Sequence, residues 1–149
     1  KGFEFHPAIY QKRQEINAIV HTHGFWGTAL AGQARPLKIR HNLACFFHED
    51  QALSPDDSFA SIGEAIGTAN TIIIPWHGCI TVGTTIGRAT ALHQTLEEMA
   101  KLDVTLEPSN APELPEEWRE KIKNLIDAEA HYLEQTWDLM QRKIKDREN

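Results

Sequence analysis

The chain has 149 residues, and its 15 Lys and Arg against 21 Asp and Glu leave a net charge of −6. That length fits one domain with its own core, and the acidic balance leaves no basic stripe for a nucleic acid. Hydrophobic residues at 41% and charged ones at 24% exclude a mainly disordered chain, and no apolar run approaches the ~18 residues of a membrane span.

The sequence opens on Lys1 rather than Met and runs at once into Phe3, Phe5 and His6-Pro7, which reads as the middle of a domain. An N-terminal segment is therefore expected to be missing. Pro7 to Arg13 predicts a short helix with its proline in the first turn. Asn17 to His23 is a β-branched apolar run that predicts a buried strand, broken by Gly24. Phe25 to Ala31 predicts a small-residue helix closed by Gly32. Leu37 to Phe47 predicts a short strand with a turn, and His48 to Ser58 a loop. Ser61 to Asn70 predicts a helix, with Ser61 as N-cap and Glu64 completing a capping box.

Thr71 to Trp76 and Cys79 to Val82 predict two strands joined by the turn His77-Gly78. Thr84 and Thr85 cap a helix running to about Leu102, with Ile86, Ala89, Leu92, Leu96 and Met99 on its apolar face. A Pro-rich connector covers Glu107 to Pro115. From there to Lys145 one long helix is expected, its stripe being Trp118, Ile122, Leu125, Leu133, Trp137, Met140 and Ile144. About 30 residues would span roughly 45 Å, so this helix is expected to pack against another subunit, a kinked helix folded back being the alternative. The division is thus a metal-binding portion over 1–106 and a connector with its C-terminal helix over 107–149.

Histidine is over-used: the chain has 8, five of them from His21 to His77. In a strand, residues two apart share a face, so His21 and His23 project side by side, roughly 7 Å apart at Cα. Two imidazoles leaning together from that spacing can share one ion at about 2.1 Å. The flanking Ala18-Ile19-Val20 makes a surface strand a poor fit, and two buried imidazoles without a ligand are costly. His77, in a tight turn between two apolar strands, is the natural third ligand. His41 and His48 follow the His-Thr-His strand and either could enter the same pocket. His93 is expected in the core and His131 in solvent or an interface. Cys79 reads as packing and Glu97-Glu98 as a solvated pair. Two cysteines, Cys45 and Cys79, do not make a disulfide scaffold, so a reduced, cytoplasmic setting is expected.

Three stretches carry a family likeness: Gly2 to Arg13, Ile16-Asn-Ala-Ile-Val-His-Thr-His23, and Trp76-His-Gly-Cys-Ile-Thr-Val-Gly83. Together they resemble the class II aldolase/adducin family, in which a strand ends in His-X-His and an Asn-His-Gly turn precedes a strand ending in Gly. Trp76 stands where that family usually has Asn. The resemblance implies an α/β, three-layer αβα fold with a central, mainly antiparallel sheet. It also implies a homotetramer with active sites at subunit interfaces and a divalent metal on His21, His23 and His77. The family's N-terminal part would be absent.

Sugar-phosphate aldolases of the family place a glutamate four residues before the histidine that here is His6; this chain has Gly2 there, with Glu4 two residues off. Loss of a general acid/base is worth about 10² to 10⁴ in rate. The Gly2-Phe3…His6 version, and Asn42 to Asp50, resemble instead the adducin-like branch, which includes non-catalytic cytoskeletal proteins and non-haem iron oxygenases. Three neutral imidazoles leave a divalent ion its full charge and open positions for an α-keto or α-hydroxy acid. With Fe(II) there is room for O₂; with Zn(II) the same site would act as an aldolase. Phe25, Trp26, Phe46, Phe47 and Trp76 suggest an apolar or aromatic substrate unless they are core. The expected enzyme therefore breaks a carbon–carbon bond of a small α-keto or α-hydroxy acid, preferably by Fe(II)/O₂ oxidative decarboxylation. A Zn(II) retro-aldol lyase and a non-catalytic assembly module are the alternatives. His48 is the expected acid/base, and Phe25, Trp26, His41, Asn42 and Trp76 the expected substrate pocket.

Overall fold

The structure is a computed structural model and describes residues 5–128 and 131–147. Its elements in chain order are α1 (Phe5–Lys12), β1 (Ala18–Thr22), α2 (Phe25–Ala31), a 3₁₀ segment (Asn42–Phe47), β2 (Gln51–Leu53) and α3 (Phe59–Ala65). β3 (Thr71–Ile74), β4 (Gly78–Gly83), α4 (Ile86–Leu106), a 3₁₀ turn (Glu107–Ser109), α5 (Glu116–Ala128) and α6 (Tyr132–Lys145) follow.

The four strands form one sheet in the order β1-β4-β3-β2. β1 and β3 flank β4 antiparallel, while β2 joins β3 in parallel, so the sheet is mixed. The central strands read as unbroken apolar runs because both faces are covered. Alternate residues go to opposite layers. Ile72, Ile74, Ile80 and Val82 join Phe5, Ile9, Ile62 and Ile66 on the α1/α3 side. Ile73 and Cys79 join Leu30, Leu92, Leu96 and Leu133 on the α2/α4/α6 side. Helices, sheet and helices make three layers.

Several expectations are corrected. Leu37 to Phe47 contains no strand; its second half is the 3₁₀ segment, whose first turn is capped by the His41 Nδ1 accepting the Leu43 N–H at 3.1 Å. The expected loop after His48 contains β2, three residues made a strand only by pairing with β3. Ser58, not Ser61, caps α3, its hydroxyl accepting the Ser61 N–H at 3.2 Å. Glu64 pairs with Lys12 of α1 across the layer. α4 runs on to Leu106, and Ile86, expected on its apolar face, is exposed.

The long C-terminal helix is two helices among the described residues. α5 packs on the 3₁₀ segment and α6 on α4, which is the folded-back alternative. Leu133 is buried there, and a Cβ on Gly87 of α4 would meet the Trp137 ring at 2.7 Å. Trp118, Leu125 and Ile144 of the expected stripe stay exposed. Buried Arg40 ties its segment to α4 through Asp103 at 2.6 Å, with Arg35 on the other carboxylate oxygen at 2.7 Å. Among the described residues no helix is long and apolar enough to cross a membrane.

Candidate metal centre

The register of β1 on β4 decides where the histidines meet. Thr22 pairs with Cys79, so the end of β1 lies beside the start of β4 and the turn that carries His77. That turn closes with the His77 N–H on the Ile74 carbonyl at 3.1 Å and is tied to α2 by the Trp76 N–H on the Ala31 carbonyl at 3.0 Å. Trp76 holds a left-handed φ of 58°, a conformation that costs a bulky L-residue energy. Two residues on, glycine is required for another reason: a Cβ on Gly78 would sit 2.7 Å from the Thr22 carbonyl oxygen.

The His21 Nδ1 lies 2.9 Å from the Cys79 carbonyl oxygen. A carbonyl only accepts, so Nδ1 carries the proton and Nε2 is left with its lone pair. The His21 Nε2 is 3.2 Å from the His23 Nε2. The His77 ring lies 5.2 Å from the His21 ring and 5.0 Å from the His23 ring, centre to centre. One ligand nitrogen from each of the three falls within 4.8 Å of the others, and among the described residues the cluster includes no carboxylate. Burial and the neighbouring imidazoles hold the His21 ring below the usual histidine range. This donor set fits a divalent transition metal. Two nitrogens 3.2 Å apart would each lie about 2.1 Å from one shared ion at an angle of about 100°.

The opposite face of β1 is anchored by Thr22. Its hydroxyl lies 2.7 Å from the Nε2 of His93 on α4, whose Nδ1 lies 3.1 Å from the Thr81 hydroxyl. Thr81 donates its own proton to the Ala89 carbonyl at 2.8 Å, so it accepts from His93, and Thr22 donates to the free Nε2. Burial pushes the His93 pKa down to about 4, keeping the ring neutral. The middle residue of His-Thr-His thus fixes the strand to α4 while its neighbours face the other way.

The corner after His23 is fixed by Glu97. Its carboxylate accepts the N–H of Trp26 at 3.1 Å and of Gly27 at 2.9 Å, capping α2 from α4. A Cβ on Gly24 or Gly27 would each meet that carboxylate at 2.4 Å. The expected solvated pair is corrected here, since Glu97 is a cap. A helix entered through Gly-Phe-Trp-Gly, with no Ser, Thr, Asp or Asn before it, was the available signal that an acceptor must come from elsewhere. The Cys79 thiol, buried beside Glu97, is pushed up to about 12.

His23, His77, Trp76 and Thr28 line an open cavity of about 730 Å³ together with Asp56 and Asp57. Phe25, two residues after His23, and Trp76, just before His77, are 75% and 77% exposed. Trp26 packs against the core beneath the Lys101 ammonium, 5.9 Å from its ring centre. Phe46 and Phe47 are core, and neither lines the cavity beside His23 and His77. His41 is exposed and occupied as a cap, with Asn42 beginning the 3₁₀ segment. His48 is buried against Glu116, its Nε2 3.5 Å from Oε1, and lines a different cavity. Gly2 and Glu4 lie outside the described residues. Sequence reasoning missed Thr28, whose Oγ1 is buried without a hydrogen-bond partner among the described residues.

Residues 1–104 match the family described as the Class II Aldolase and Adducin N-terminal domain. The decarboxylase NovR of Streptomyces niveus is 27% identical over 120 residues, 75% of this chain and 44% of that protein. The 4-hydroxy-3-prenylphenylpyruvate oxygenase/4-hydroxy-3-prenylbenzoate synthase of Streptomyces roseochromogenus is 29% identical over 96 residues, 59% of this chain and 35% of that protein. The chain therefore spans less than half the length of these curated relatives. Among solved structures, an L-fuculose 1-phosphate aldolase from Glaciozyma antarctica superposes with a TM-score of 0.88 at 27% identity, over 97% of this chain and 59% of the other. With a family match over more than two-thirds of its length and the three-layer architecture to go with it, the chain belongs to the class II aldolase and adducin family.

Proposed function

We propose that the protein is a metal-dependent enzyme that breaks a carbon–carbon bond of a small α-keto or α-hydroxy acid, by Fe(II)/O₂-dependent oxidative decarboxylation. The observation that carries this reading is the gathering of three imidazoles without a carboxylate among the described residues. A divalent ion on His21, His23 and His77 would keep its full charge and open positions, able to chelate an α-keto acid and, as iron, to supply redox chemistry toward O₂. The decarboxylase and oxygenase names of two relatives support the same mode.

The remaining work falls to this chain's own side chains. The Cys79 carbonyl fixes the His21 tautomer, so its Nε2 is ready to bind without reorganisation. Phe25 and Trp76 offer exposed aromatic surface beside the histidines for the substrate's apolar end. The Thr28 hydroxyl is a buried donor for a substrate oxygen in that cavity. The exposed aromatics also suit a homotetramer in which a neighbouring subunit covers the site, a state that equilibrium sedimentation would report.

A second reading is a Zn(II) retro-aldol lyase, favoured by the similarity to the L-fuculose 1-phosphate aldolase structure. Anaerobic loading with Fe(II), followed by oxygen uptake over a panel of α-keto acids, separates the two. Substrate-dependent uptake supports the proposal; zinc-dependent aldehyde release with no uptake supports the lyase. A purified protein that retains no metal and catalyses neither reaction would leave an assembly module. Elemental analysis of His21→Ala provides the control, since unchanged metal content removes the three-histidine centre from the account.

A further inference from the structure

A second cavity, of about 380 Å³, is lined by residues 35–39, before the 3₁₀ segment, by His48, Glu49 and Gln51 after it, and by Glu113 and Arg119 around the start of α5. His48 and Arg119 both line it. The His48 ring is 7% exposed, and its Nε2 is buried with no hydrogen-bond partner among the described residues. The Arg119 Nε is likewise buried and unpartnered. Two such atoms, on residues that line one cavity, demand a partner, because a buried polar group left unmade costs more than a made one returns.

The neighbouring charges do not supply that partner. Glu116 stands 3.5 Å from the His48 Nε2, beyond hydrogen-bond length, and takes Arg119 through Nη2. Glu113, which also lines the cavity, accepts the Ile39 N–H at 2.9 Å and stands 3.5 Å from the Arg119 Nη1. Arg35 and Lys38 also line the cavity: Arg35 takes Asp103 through Nη1 and Lys38 takes Glu107, each at 2.7 Å, while the Arg35 Nη2, buried and without a hydrogen-bond partner among the described residues, stands 3.4 Å from Glu107. Of the unpartnered atoms, the Arg119 Nε–H can only donate, and the His48 nitrogen donates as the Nε2–H tautomer or when protonated. A volume of about 380 Å³ is far above the ~10–15 Å³ that a single water needs.

We propose that this cavity binds a small oxoanion, a phosphate or a carboxylate group, through the His48 Nε2 and the Arg119 Nε. The site is separate from the cavity lined by His23 and His77, with which it shares no lining residue. It gives His48 the role of an anion ligand. The metal is not needed for it.

The Arg119 Nε–H and the His48 ring are both visible by NMR in the ¹⁵N-labelled full chain. Inorganic phosphate and malonate, titrated separately, should shift both signals saturably with at least one anion while the His23 and His77 rings stay unmoved. A response to phosphate alone identifies a phosphoryl ligand, and a response to malonate alone a carboxylate. Arg119→Lys keeps the charge but removes Nε, and His48→Gln removes the imidazole; each should weaken binding by about tenfold or more. The backbone amide spectrum of each variant reports whether it folds, and the wild-type titration decides without them. No saturable shift with either anion overturns the proposal, as do unchanged affinities in both folded variants.

Discussion

Acidifying the protein from about pH 7 to about pH 5 should cost it stability through His93. In the fold its pKa lies near 4, against 6.5 for an unperturbed ring, because burial penalises the imidazolium. The unfolded chain therefore takes up the proton first. The stabilisation is complete above about pH 6.5 and is lost as the pH falls through that window toward about 4. A gap of about 2.5 units at ~1.4 kcal/mol each is about 3 kcal/mol over the full window, of which about 2 kcal/mol is gone by pH 5. Protonation at Nε2 would also turn the acceptor for Thr22 into a donor, loosening β1 from α4. Urea unfolding of chelator-treated wild type and His93→Gln at both pH values gives the assay. His21, also depressed by burial, contributes in the same sense in both proteins and cancels from the comparison. The variant should start less stable at neutral pH and lose about 2 kcal/mol less on acidification. Parallel pH profiles for the two proteins would refute the assignment of His93 as a neutral, buried anchor.

Three further outcomes are expected. Glu97→Ala removes the cap of α2 and should cost about 1–2 kcal/mol in urea unfolding; a change within error would mean that Gly24 and Gly27 are small for another reason. Trp76→Asn should raise stability by up to about 1 kcal/mol, because Asn tolerates the left-handed backbone that tryptophan occupies at some cost; a lower thermal midpoint would show that the exposed ring contributes more than the backbone loses. Thr28→Val should raise KM for the acid substrate with metal content unchanged, by about tenfold if the hydroxyl is a direct partner; an unchanged KM removes it from the site.

Much of the fold can be read locally. The β-branched run before His21, the paired strands around His77-Gly78 and the long helix after Thr85 each follow from residue pattern and a local cap. The helix closes its own hydrogen bonds, β3 and β4 are a hairpin of neighbours, and β1 is marked by its β-branched apolar run although its partner strand is distant. β2 and the 3₁₀ segment could not be read this way. Three residues, Gln51–Leu53, have no strand signature of their own and exist as a strand because β3 offers an open edge. The break between α5 and α6 likewise answers to two different surfaces, the 3₁₀ segment for one and α4 for the other, which no helical stripe records.

The sequence by itself determined that two imidazoles share one face of a strand, since a period of two is a property of the extended backbone. It also pointed to His77, because an apolar hairpin can aim a turn residue at its neighbour. Tertiary structure decided the rest. The register that sets Thr22 against Cys79 brings the turn beside the strand end, and the carbonyl it leaves in reach chooses the His21 tautomer. Across the sheet, α4 supplies both His93 beneath Thr22 and the Glu97 carboxylate at the helix that follows His23. Those partners lie some seventy residues away along the chain, and only packing brings their atoms within hydrogen-bond distance.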